Sequence, residues 1–187
     1  MRTTEVIVGI CWAVFLGFWI VWAFWVKRTR ARQPLSERLL HLLFIAIAAV
    51  LLNGHVRTTL MTQRVLPQSI PIELLADVLV VVGLLIALWA RVTLAGNWSS
   101  QVTLKEDHEL IQRGPYRFVR HPIYSGLLLM LLGTAVLTGQ LGGFVALVVC
   151  GFGLWIKLRQ EEKLLARHLP GYAEYKSRTR ALIPYLL

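Results

Sequence analysis

Residues 123–156 read IYSGLLLMLLGTAVLTGQLGGFVALVVCGFGLWI, and this stretch decides the fold. It carries no charge, and its apolar run breaks only at Gly139-Gln140. The two halves, 123–138 and 141–156, hold 16 residues each, about 24 Å of helix at ~1.5 Å per residue. A bilayer core is about 30 Å thick, so each half is a slightly short spanning helix, accommodated by local thinning or by burial against neighbours. With two residues between them, the halves must form a tight helical hairpin.

Three further apolar runs precede the hairpin, at 5–26, 39–56 and 70–90. The first carries Trp12, Trp19, Trp22 and Trp25; it is too long for a signal-peptide core, has only Arg2 before it and lacks a small-residue cleavage site. The whole chain agrees with a membrane reading. Of 187 residues, 56% are hydrophobic and 16% charged, and the mean hydropathy is +0.60. A soluble domain is about 25% charged. The net charge of +10 does not point to nucleic acid, because the basic residues flank apolar runs. Seventeen of the 20 Lys and Arg residues fall in 27–38, 91–122 and 157–180. Five spans put those three segments on one side, and the excess of positive charge makes that side the cytoplasm. The expectation is an all-α polytopic membrane protein. It is one domain over residues 1–187, with the N-terminus outside, the tail inside and the cytoplasmic membrane as its location. Cys11 and Cys150 lie in apolar runs, so no disulfide framework is expected, and no His/Cys/Asp spacing suits a metal.

Polar residues concentrate in 96–126 and 157–187, both on the basic side. In the first, Pro122 suits the first position of a helix, with His121 at its cap. The free N–H groups there attract anions, and Arg117 and Arg120 add positive charge. Arg113 and Arg117 alone would be read as topology anchors. In the second, Lys157 and Glu161 share one helix face, and Arg159 and Glu162 share another as a surface pair. Pro170-Gly171 ends that helix, and Tyr172 and Tyr175 follow. Glu73 and Asp77 suit the start of the third span. His41 is a weaker pocket candidate, and His168 reads as surface.

The strings HELI (108–111), GPYRFVRHPIYSG (114–126), EEKLL (161–165) and GYAEYKSRTRALIP (171–184) together resemble the isoprenylcysteine carboxyl methyltransferase family. Those are integral membrane enzymes that use S-adenosylmethionine. The resemblance implies cofactor-binding roles for Gln101, His108, Glu109, Leu110, Ile111, Tyr116, His121, Pro122, Ile123, Tyr124 and Glu161. The family has a substrate-side arginine four residues before its glutamate; here that position is Lys157, with Arg159 as the other candidate for the catalytic cation. Lysine holds an anion as a point charge, not as a bidentate fork.

The expected activity is methyl transfer from S-adenosylmethionine to a lipophilic acceptor, such as the carboxylate of a prenylcysteine-like or other lipid-linked acid. The acceptor enters from the lipid and the cofactor from the cytoplasm. A carboxylate nucleophile needs alignment, not a general base. An amine acceptor would need a base such as Glu162, and a thiol acceptor is the third choice. A transporter or scaffold is the reading from outside this class, and the apolar span centres argue against transport.

Overall fold

The computed structural model describes residues 3–23, 29–32, 44, 47, 59–95, 103–105 and 110–184. In order these form helix α1 (Thr3–Trp22), strand β1 (Thr29–Arg32), a single helical turn (Thr59–Thr62) and helix α2 (Ile70–Leu94). Strand β2 (Thr103–Lys105), a 3-10 turn (Gly114–Arg117) and helices α3 (Pro122–Thr138), α4 (Leu141–His168) and α5 (Tyr172–Arg178) follow. Among the described residues, α1, α2 and α4 are long and apolar enough to cross a membrane, and α3 is a shorter apolar helix. The expected span at 39–56 lies outside the described residues except for Phe44 and Ile47, both helical. Phe44 packs edge-on against Phe152 of α4, with ring centroids 5.7 Å apart. The all-α expectation gains one exception: β1 pairs antiparallel with β2, with Thr29 opposite Lys105 and Arg32 opposite Thr103.

α2 opens with a proline in its first turn and with Glu73 at the positive end of the helix dipole. It runs beyond the expected end at residue 90, through Arg91 to Leu94. Arg91 is not the exposed boundary charge its sequence position suggests. It is fully buried, and its guanidinium donates to the carbonyls of Ala95 (2.7 Å) and Trp22 (3.0 Å). With both terminal nitrogens bonded to carbonyls inside the protein, the charge is accommodated away from water, and the helix continues past it. The same contact ties the ends of α1 and α2 together, so the two helices run parallel. On α1, Val8, Cys11 and Phe15 form the buried stripe that meets Val80, Leu84 and Met130. Trp12 adds a hydrogen bond to the Thr134 hydroxyl at 3.0 Å.

α2 and α3 approach almost backbone to backbone. A Cβ added at Gly83 would lie 2.6 Å from the Gly126 carbonyl oxygen, and one at Gly126 would lie 2.5 Å from that of Gly83. At Gly133 it would meet Val80 and the Ala76 carbonyl. Ala76, Val80 and Ala87 complete the α2 face and are fully buried. Lipid offers little hydrophobic force between helices, so close packing of small residues is the usual means of holding them together.

The hairpin is present as expected. Gly139 takes a left-handed conformation (φ 61°) and Gln140 precedes α4. The far ends of the helices are fastened by Val65 N–H donating to the Gly139 carbonyl (2.8 Å) and Leu141 N–H to that of Gln63 (2.9 Å). At the opposite end α4 continues to His168. After α5, residues 180 and 181 run beside 119–121 as a strap. Arg120 N–H donates to the Arg180 carbonyl (2.8 Å) and His121 N–H to that of Ala181 (3.0 Å), and the Ser125 hydroxyl donates to that of Leu182 (2.5 Å). The strap, α5, the 3-10 turn and the ends of α1 and α2 therefore share one end of the bundle.

Gly126→Leu should force α2 and α3 apart, costing about 3 kcal/mol and lowering the detergent unfolding midpoint sharply. Gly17→Leu, at a position with nothing within 4 Å of an added Cβ, should leave it unchanged. Equal midpoints for the two variants would rule out the close contact.

Candidate functional site

The 3-10 turn carries Pro115 and Tyr116, both buried. Gly114 makes this turn possible. Its φ is +59°, and an added Cβ would lie 3.0 Å from the Thr93 hydroxyl oxygen. Tyr116 packs with Ala90 and Ile123, and Ile111 and Tyr124 flank this cluster. The turn is locked from the tail, since the Tyr175 hydroxyl donates to the Tyr116 carbonyl at 2.6 Å. Leu110 lies near Gly171. Gln101, His108 and Glu109 lie outside the described residues.

Pro122 opens α3 and His121 is its N-cap residue, as the sequence predicts. The imidazole does not cap the helix. It turns to α4, where its Nδ1 lies 3.5 Å from Glu161 Oε2 and its Nε2 lies 3.6 Å from Glu162 Oε1. The ring also lies parallel to that of Tyr124, with centroids 5.4 Å apart. The Tyr124 hydroxyl donates to Glu161 at 2.7 Å. Lys157 lies 4.0 Å from the same carboxylate and 5.3 Å from the centre of the Tyr124 ring. His121, Tyr124, Lys157 and Glu161, which are distant in sequence, thus form one cluster.

Glu162 is not the surface partner of Arg159. It is 4% exposed, and it binds Arg120 Nε at 2.6 Å and Lys176 Nζ at 2.7 Å. Arg120 also donates to the carbonyls of Thr179 and Lys176. This changes the reading of Arg120: its guanidinium is committed to Glu162 and the tail and does not wait for an anion at the helix start. Arg117 is turned aside over the Phe118 ring, at 4.4 Å. Arg159 lies over Trp155, at 4.3 Å, away from Lys157. His168 is exposed, as expected.

Burial raises the Glu162 pKa, but His121, Lys176 and Arg120 outweigh it and hold the carboxyl well below the usual carboxylate range. Burial also raises Glu161, and it too ends below its ordinary value, because His121, Lys157 and Tyr124 favour the ionised form. For His121, burial opposes the charge, yet the two glutamates lift it above its ordinary 6.5. Burial pushes Tyr175 up to about 12, so its hydroxyl stays a donor. The cluster therefore sets two carboxylates on either side of His121 and favours the protonated form of its ring.

A raised imidazole stabilises the fold fully below pH 6.5, and its contribution fades as pH rises through the folded value. The lowered carboxylates contribute fully above about pH 4.5 and lose their effect as pH falls through their folded values. The detergent unfolding midpoint should therefore decline from pH 6.5 upward in the wild type and stay flat there in His121→Gln. Parallel alkaline declines in both proteins would rule out a charged His121.

Residues 75–167 match the Isoprenylcysteine carboxyl methyltransferase (ICMT) family. The chain is 32% identical over 142 residues to the cobalt-zinc-cadmium resistance protein CzcN of Cupriavidus metallidurans, covering 75% of this chain and 59% of that protein. It is 29% identical over 113 residues to a probable protein-S-isoprenylcysteine O-methyltransferase of Oryza sativa subsp. indica, covering 58% and 59%. It is 36% identical over 100 residues to the protein-S-isoprenylcysteine O-methyltransferase of Saccharomyces cerevisiae, covering 49% and 41%. The chain thus spans 41% to 59% of the length of these relatives. The matched stretch contains the α2–α3 contact, the hairpin and the junction of His121 with Glu161 and Glu162, and the chain belongs to the isoprenylcysteine carboxyl methyltransferase family.

Proposed function

We propose that this chain is a membrane methyltransferase that uses S-adenosylmethionine to methylate the carboxylate of a lipid-linked acid. The observation that carries the reading is the meeting of His121, Tyr124, Lys157 and Glu161 at one end of the bundle, within the matched residues. The relatives named protein-S-isoprenylcysteine O-methyltransferase make a prenylcysteine-like carboxylate the first acceptor to test. The proposed topology has five spans with the N-terminus outside, which puts the cluster at the cytoplasmic face of the membrane.

The residues present fit the cofactor. Glu161 is held below its ordinary pKa by His121, Lys157 and Tyr124 and retains 19% exposure. A partly exposed carboxylate suits an ammonium or ribose hydroxyl and favours a nearby sulfonium. Tyr116, Ile123, Leu110 and Ile111 would supply the apolar wall, and the family resemblance adds Gln101, His108 and Glu109 to the cofactor-binding residues. When bound, the cofactor supplies an electrophilic methyl group. His121 and Tyr124 hold the Glu161 carboxylate in one orientation. Lys157 draws the acceptor carboxylate toward the same place. That nucleophile is already ionised at neutral pH, so positioning and exclusion of water are the work left to the protein.

The amine-acceptor reading loses support here. Glu162, its expected base, is saturated by Arg120 and Lys176 and held far below the pKa that proton removal requires.

Glu161→Gln should weaken binding of labelled S-adenosylmethionine by about 100-fold, as expected for a lost charge-assisted contact of about 2–3 kcal/mol. Unchanged affinity would remove Glu161 from the site. Lys157→Ala should raise the KM for a farnesylcysteine analogue by about tenfold with little change in cofactor affinity, and Lys157→Arg should restore it. A loss confined to cofactor binding would assign Lys157 to the other ligand.

A further inference from the structure

A second feature lies around the corner of α4. At about 100° per residue, Trp155, Leu158, Arg159 and Glu162 form one stripe of the helix, roughly 130° from Lys157 and Glu161. This stripe faces α5 and the strap and borders an open groove of about 320 Å³, with Arg120, Lys176, Thr179, Arg180 and Ala181 completing the lining. Four of the lining side chains are basic and one is acidic. Glu162 is already matched by Arg120 and Lys176. Among the described residues, neither Arg159 nor Arg180 has an acidic partner. Both side chains are exposed, and each residue is anchored at one point. Arg159 lies over the Trp155 ring at 4.3 Å. The backbone of Arg180 is pinned by its pairing with Val119 and by the Arg120 N–H.

We propose that this groove binds a phosphate group, and that an anionic phospholipid headgroup is its source. Two guanidinium forks without carboxylate partners suit the tetrahedral oxygens of a phosphate better than a single-point anion. The lining also includes the apolar side chains of Trp155, Leu158 and Ala181, beside the two arginines. Trp155 closes the apolar run that ends at residue 156, the depth at which tryptophan favours the headgroup region. A glycerophosphate would set its charge against Arg159 and Arg180 and its carbon skeleton against those apolar side chains. Glu162 would transmit occupancy, since it touches both Arg120 of the groove and His121 of the neighbouring cluster.

The test uses the full chain in mixed micelles without methyl donor, so its outcome is separate from that of the proposed activity. Unfolding midpoints and native mass spectra are recorded with phosphatidylglycerol, with phosphatidylcholine, and with phosphatidylcholine plus inorganic phosphate. Phosphatidylglycerol should raise the midpoint and remain bound. The double variant Arg159→Gln/Arg180→Gln should bind it about tenfold more weakly, and Arg159→Lys/Arg180→Lys should recover part of the loss. The control Lys163→Gln/Arg167→Gln removes the same charge from exposed positions outside the groove and should behave as wild type. A shift by inorganic phosphate that the Gln variant abolishes would uphold the phosphate site and give it a soluble ligand. No shift in the wild type, or equal losses in the two double Gln variants, would overturn the proposal.

Discussion

Glu162 is the point at which the membrane bundle and the tail become one structure. Its carboxylate meets Arg120 before α3, Lys176 in α5 and the edge of His121. Arg120 extends the tie to the carbonyls of Lys176 and Thr179. Taking these charges out of water costs several kcal/mol for each ion, and attraction offsets the cost only when every group is matched. Here the carboxylate and the guanidinium are matched several times over. Removing either partner would leave a buried charge stranded, a loss of about 3–5 kcal/mol. The arrangement is therefore strongly selective for a single register between α4, the start of α3 and the strap.

That register depends in turn on the α2–α3 contact. Side chains between two helices can repack and let them slide, but glycines facing a backbone carbonyl at Cβ distances of 2.5–2.6 Å permit little sliding. The contact therefore fixes the start of α3 relative to the end of α2. From the end of α2, Thr93 supports Gly114, the 3-10 turn holds Tyr116, and the chain passes through Arg120 to His121. Arg91 performs the matching task on the other side by joining α2 to the end of α1. The site rests on a scaffold of close backbone contacts, not on a flexible loop.

Much of this architecture is legible in the order of the residues. The break at Gly139-Gln140 specifies the hairpin, Pro122 marks the helix start, and the four-residue spacing sets the Lys157–Glu161 face. These are local signals, each contained in one element. Three features escape such signals because each depends on a partner from elsewhere. Arg91 reads as a boundary charge until Trp22 and Ala95 supply its carbonyls. Arg120 reads as an anion receptor and Glu162 as a surface residue until the hairpin brings positions 42 apart within 2.6 Å. The close α2–α3 face has a sequence signal that periodicity of large apolar residues overlooks: the small residues Ala76, Gly83 and Ala87 on one helix and Gly126 and Gly133 on the other.

The paired glutamates explain how one helix can serve two surroundings. Neighbouring residues on a helix point about 100° apart, so Glu161 and Glu162 diverge on either side of His121. An imidazolium facing only Glu161 would leave that carboxylate fully compensated, with little pull on a further cation. With Glu162 supplying the second contact and itself neutralised by Arg120 and Lys176, His121 can orient Glu161 while its charge is shared. Glu161 then keeps both its ionised state and its open side. Glu162 takes up Arg120 and Lys176, so that among the described residues Glu161 faces only Tyr124, His121 and Lys157, and a single glutamate at this level of α4 could not fill both places.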